Sequence, residues 1–225
     1  MYCLTHSLEH LTEPHITLND ISNKLRENAL FINSIPNLKE WMRKGQPNAL
    51  NQEHTYLLSE KHYEQCMLYF GFEVIDKCNF DDFHSIFYCH KKVHKPKQSP
   101  LVLDDLIESQ SKLYENYIKS FSMEAERINN ILKDHKLHDE IFIFGAHVFS
   151  QYLLVHGLHE SWFSNVLDNN PSKENKRLYG TNLICKSPSV LANRNQPTVV
   201  IRAGSYTNEI RKQILKINDQ TIFIT

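Results

Sequence analysis

The sequence has 225 residues, enough for one large domain or two ordinary ones, with 41% hydrophobic residues, 23% charged residues and a formal net charge of −1. That balance belongs to a globular chain and excludes collagen-like, disordered and acidic-tail classes, and it argues against a nucleic-acid partner held by bulk positive charge. No apolar run approaches the roughly 18 residues that span a bilayer, and no basic segment followed by an apolar one opens the chain, so a cytoplasmic protein without a membrane partner is expected.

Met1 to Leu4 is a short apolar run that predicts a strand. Beyond Glu13 and Pro14, Ile16, Leu18, Ile21 and Leu25 recur at helical spacing, and Asn28 closes that helix. Ala29 to Ile35 predicts a second strand, ended by Pro36, which cannot donate to a ladder. Ser59 followed by Glu60 opens a helix whose apolar side runs through Tyr63, Cys66, Met67 and Phe70 to a stop at Gly71. Phe72 to Ile75 and Ser85 to Cys89 predict two more strands. The order β-α-β-α-β-β predicts an α/β sheet with an antiparallel edge.

From Lys91 to Pro100 the basic, proline-containing KKVHKPKQSP interrupts the apolar pattern, and the domain boundary is placed there, giving residues 1–92 and 93–225. Leu103, Leu106, Ile107, Tyr114, Tyr117, Ile118, Phe121, Ala125, Ile128, Ile131 and Leu132 then recur every three or four positions for about eight turns, as one long amphipathic helix requires. Ile141 to Phe144, Trp162 to Leu167, Thr198 to Ile201 and Thr221 to Ile224 predict short strands. They alternate with helices over Val148 to Val155 and Tyr206 to Leu215, which makes a second small α/β unit.

Cys3, Cys66, Cys78, Cys89 and Cys185 form no C-x-x-C pair, so neither a disulfide framework nor a thiolate zinc site is indicated. The six glycines lie too far apart to write a G-x-G phosphate loop, which disfavours a kinase, a P-loop enzyme and a complete dinucleotide site. His6-Ser7-Leu8-Glu9-His10 fits the H-x-x-E-H pattern of a zinc hydrolase, but that pattern needs one helix, and here a strand precedes it and Pro14 follows at once. No metal is expected. Glu53-His54, taken alone, is a polar loop with an exposed histidine.

The same segments carry a resemblance. MYCLTHSLEHLTEPHITLNDISNKL resembles class I S-adenosylmethionine-dependent methyltransferases from their fourth sheet strand onward, and ALFINSIPN resembles their fifth strand with its I-P-N turn. Gln52 to Tyr56 with Ser59 is similar to the E-H-x-x-Y/F-x-S element of the sugar C-methyltransferase branch, and Phe70 to Glu73 to the G-F-E that opens the sixth strand. Ile143 to Ala146, Val166 to Lys173, Gly180-Thr181, Ser187-Pro188 and Glu209-Ile210 are similar, in order and spacing, to the C-terminal domain of C-methyltransferases acting on nucleotide-linked keto sugars. Tyr179 stands where the family usually has proline, and Glu174-Asn175 replaces a K-Q-G run.

The resemblance implies an incomplete Rossmann-like methyltransferase sheet, a long helix and a second small α/β domain, with the D/E-x-G-x-G-x-G loop that grips S-adenosylmethionine expected to be missing. It implies His54 as general base oriented by Glu53, Tyr56, Asn37 and Asp168 on the sugar side, and His6, Leu8 and Glu9 bordering the cofactor. Asp168 as an Asx-turn residue is an equal alternative. The expected partners are a sugar nucleotide or phosphorylated sugar, and a separately encoded N-terminal half or a second copy that covers the edge strand. A weak or inactive methyltransferase alone is expected; the rival reading is a non-catalytic module that binds nucleotide sugars or serves assembly.

Overall fold

A computed structural model describes residues 1–50, 53–80, 82–94, 104–134 and 140–225. Gln52, the linker from residue 95 to 100, and Leu103 lie outside them. The chain divides into two compact units, Met1–Tyr117 and Ile118–Thr225. The division falls inside the long helix, beyond the 92/93 boundary placed from the linker composition.

The first unit begins with β1 (Tyr2–Thr5), α1 (Pro14–Lys24) and β2 (Leu30–Pro36). It continues with α2 (Leu38–Arg43), α3 (Glu60–Tyr69), β3 (Phe72–Phe80) and β4 (Ser85–Lys92). The strands form one sheet in the order β1-β2-β4-β3. β1 runs parallel to β2 with Tyr2 opposite Phe31, and the crossover between them is α1. β4 is antiparallel to both β2 and β3, which is the expected antiparallel edge. β3 is more than twice the predicted length, nine residues, and slips register between Val74 and Asp76, so Ile75 bulges outward and is half exposed. β4 extends to Lys92, two residues into the segment read as linker.

Alternation along the central strands turns Phe31 and Ile35 of β2, and Ile86 and Tyr88 of β4, into one cluster with Leu18 and Ile21 of α1 and Tyr63 and Met67 of α3. The α3 start is capped as expected: the Ser59 hydroxyl accepts from the His62 N–H. Among the described residues β1 pairs on one side only, and Tyr2 and Cys3 along it, with Met1 before it, are exposed.

The second unit takes in the later part of α4 (Asp104–Asp134), β5 (Ile141–Phe144), α5 (Val148–Val155) and β6 (Asn165–Leu167). β7 (Cys185–Lys186), β8 (Thr198–Ile201), α6 (Thr207–Ile217) and β9 (Ile222–Ile224) complete it. Its sheet is parallel throughout, in the order β7-β6-β5-β8-β9. β5 and β8 are buried along their whole length, as strands covered on both faces must be. Ile141, Ile143 and Val200 meet Ala125, Ile128 and Leu132 of α4 on one face, while Phe142, Phe144, Val199 and Ile201 meet Ile210 and Ile214 of α6 on the other.

Trp162 to Leu167 is not a strand throughout: Glu160–Trp162 is a 3₁₀ turn, and pairing begins at Asn165. The Trp162 indole donates to Asn129 Oδ1 at 3.0 Å, which holds that residue to α4 rather than to the sheet. No helix among the described residues is long and apolar enough to cross a membrane.

Candidate active site

The site is built at the carboxyl end of β1, where open α/β sheets present ligand-binding loops. At His6 the chain leaves the strand with φ 44°, a left-handed conformation that costs a non-glycine residue about 1 kcal/mol. The His6 N–H is anchored to β2 through the Ser34 carbonyl, at 3.3 Å. A 3₁₀ turn over Leu8–His10 then sends Leu8 into the core, buries Glu9 and exposes His10. His6 and His10 therefore share no helix, and the H-x-x-E-H spacing does not put two ligands on one face.

A second loop is stitched over this turn. The Thr55 N–H donates to the Glu9 carbonyl at 2.7 Å, the Thr55 hydroxyl to the Leu11 carbonyl at 2.5 Å and the Tyr56 hydroxyl to the Thr12 carbonyl at 3.0 Å. His10 Nδ1–H donates to the Glu53 carbonyl at 2.9 Å. These bonds carry His54 over Glu9, with its ring centroid 5.1 Å from His10 and 6.1 Å from Trp41. Leu8, Glu9, Ile35, Pro36, Leu38, Trp41, His54 and Tyr56 line a narrow cavity of about 20 Å³, room for a water but not for a sugar ring.

Glu9 is held by a chain of donors that all point toward it. His84 Nδ1–H donates to Ser85 Oγ at 2.8 Å, and the Ser85 hydroxyl donates to His6 Nε2 at 2.8 Å. His6 Nδ1–H in turn donates to Glu9 Oε1 at 3.2 Å. The other carboxylate oxygen, Oε2, is buried with no hydrogen-bond partner among the described residues. Burial is the main influence on His54 and lowers its pKa; the Glu9 carboxylate pulls it upward, and the net shift is downward. The imidazole is then neutral near pH 7, the form that accepts a proton. Glu9 acts on His54 more strongly than Glu53 does.

The structure brings together His54, Glu9, Tyr56, His6 and Leu8 of the expected site residues, with Glu53 joined through its backbone. Asn37 sits beside the cavity, between Pro36 and Leu38, but does not line it: its Oδ1 caps α2 by accepting from the Glu40 N–H at 3.3 Å. Asp168, in the second unit, directly follows β6. Its Oδ2 accepts from the Ala146 N–H and from Lys173 Nζ, each at 2.9 Å, and its Oδ1 accepts from the Asn170 N–H at 2.9 Å. Burial pushes its pKa up, but these donors outweigh burial and hold it below the usual carboxylate value. The Asn170 bond is an Asx turn, while the Ala146 and Lys173 bonds tie the other carboxylate oxygen to the loop after β5 and to a neighbouring cation.

Three residues at the site were not singled out from sequence. Trp41 packs its ring 4.8 Å from that of His84 and donates its indole N–H to the His84 carbonyl at 2.8 Å. Trp41 lies in a helix too short for a periodic signal, and His84 and Ser85 arrive through the β3–β4 hairpin.

An alternating α/β sheet followed by a doubly wound parallel unit is consistent with a methyltransferase-type α/β protein. The chain belongs to the C-methyltransferase C-terminal domain family, whose model matches residues 88–225. A search of curated proteins found no match.

Proposed function

We propose that this chain supplies the acceptor side of an S-adenosylmethionine-dependent methyl transfer to carbon, on a nucleotide-linked or phosphorylated sugar that carries a ketone. The supporting observation is His54: half-buried, with burial favouring its neutral form, and set beside a carboxylate that stabilises the imidazolium formed when it takes a proton. In the step assigned to it, the C–H bond next to the ketone breaks, the proton goes to the imidazole and the electron pair moves onto the ketone oxygen as an enolate. Glu9 orients and stabilises the charged ring; Glu53 fixes the loop by accepting from His10. Tyr56, tied to the Thr12 carbonyl, lines the same small cavity as His54.

The residues present do not make a complete pocket for S-adenosylmethionine. No two glycines fall in a G-x-G arrangement, His6 is committed to Glu9 and Ser85, and Leu8 is packed in the core. We assign the grip on the donor to methyltransferase residues outside these 225, or to a second copy, that pair with the edge strand β1.

The experiment is proton exchange in D₂O, followed by proton NMR on a nucleotide-linked 4-keto sugar, which needs no methyl donor. Loss of the signal next to the ketone with the unaltered chain, and its persistence with His54→Ala, supports the base assignment. Binding without exchange would instead favour the non-catalytic sugar-nucleotide module.

A further inference from the structure

Glu9, His10 and His54 each present one ligand atom, and the three atoms lie within 4.8 Å of one another. The geometry points to a site for one divalent transition-metal ion of the zinc class, held by two imidazoles and one carboxylate. Such a three-ligand set leaves a coordination position open.

Each ligand is prepared for an ion by a contact made elsewhere. Because the Glu53 carbonyl can only accept, the His10 proton sits on Nδ1, so Nε2 of the neutral ring carries the lone pair. Metal-ligating histidines are held in this way by a carbonyl behind the ring. Glu9 is 5% exposed, its Oε1 is fixed by the donor from His6, and its Oε2 is buried without a hydrogen-bond partner among the described residues, the condition a cation relieves. His54 is delivered by the Thr55 bonds to the Glu9 and Leu11 carbonyls.

The ligands are not the two histidines of the H-x-x-E-H spacing. His6 stands behind Glu9 as an outer partner, and its place is taken by His54, 44 residues beyond His10 in sequence. Two nitrogens and one oxygen favour zinc or cobalt over magnesium. Resting on the base assignment above, an ion here occupies the same lone pair that removes the sugar proton, so metal and substrate proton compete for His54.

The test is titration of the full, substrate-free chain with ZnCl₂ by calorimetry, and with CoCl₂ by visible absorption. One ion per chain is expected. His10→Ala or His54→Ala should weaken binding by more than about 100-fold and His6→Ala by about 10- to 100-fold, with exposed His15→Ala unchanged. His10 is exposed, so its variant reports on the site even if Glu9→Gln fails to fold. Absence of saturable binding, binding indifferent to His10→Ala and His54→Ala, or magnesium held as tightly as zinc would overturn the assignment. No sugar or methyl donor enters the measurement, so its failure leaves the base assignment standing.

Discussion

In the unit Met1–Tyr117, Glu9, Asn33, Gln65, Tyr88 and His90 each keep a buried side-chain atom without a hydrogen-bond partner among the described residues. In the unit Ile118–Thr225, the buried polar side chains Asn129, Ser150, Asn218 and Thr221 are bonded to backbone or neighbouring groups. Asn218 alone donates to the Leu191 and Arg194 carbonyls, at 2.8 Å each. Buried polar groups left unmatched cost stability, and they concentrate where function needs a poised atom. In the first unit the unmatched atoms lie both at the proposed site, on Glu9, and inside the sheet core, on Asn33, Tyr88 and His90.

The largest expected effect breaks that comparison at its functional point. His54→Ala should slow proton exchange next to the sugar ketone by about 10²- to 10⁴-fold, while thermal unfolding by circular dichroism moves by no more than a few degrees, since the ring is only half buried.

A pH titration of stability sharpens the contrast next. His90 is fully buried, bonded to the Tyr63 hydroxyl at 2.8 Å, and burial lowers its pKa to about 4. In the unfolded chain it titrates near 6.5, so between these values the unfolded state binds the extra proton. The contribution is therefore fully present above about pH 6.5 and is lost as pH falls toward 4, amounting to about 3 kcal/mol. Urea unfolding at pH 7 and pH 4.5 should show most of that loss, and His90→Phe should flatten it.

The smaller effects have opposite signs in the two units. Asn218→Ala strands two carbonyls and should cost about 2 kcal/mol in urea unfolding. Tyr88→Phe removes a hydroxyl that has no partner among the described residues and should be neutral or stabilising by about 1 kcal/mol. Equal losses in both variants would erase the distinction between the interiors.

The elements that sequence revealed are those whose burial is periodic or continuous. The all-apolar IFIF of β5 and the three-and-four spacing of α4 state their surroundings directly. α2 has six residues and β7 has two, too few for either period to show. Asn37 illustrates the ambiguity of a polar residue after a strand: the same side chain suits a sugar hydroxyl or a helix start, and here it caps α2. At the site, motif resemblance led to His54, Glu9 and His6. The donor chain from His84 through Ser85 depends on a hairpin returning beside β2, and no local pattern encodes that meeting.

The assignment of chemistry to the first unit is tested most directly by comparing His54→Ala with Asp168→Asn in the D₂O exchange assay, with ligand affinity measured alongside. The account predicts that His54→Ala binds the sugar nucleotide but no longer exchanges its proton, and that Asp168→Asn exchanges at the unaltered rate once saturated. Exchange that survives in His54→Ala and disappears in Asp168→Asn at saturating ligand would place the reactive centre in the other unit.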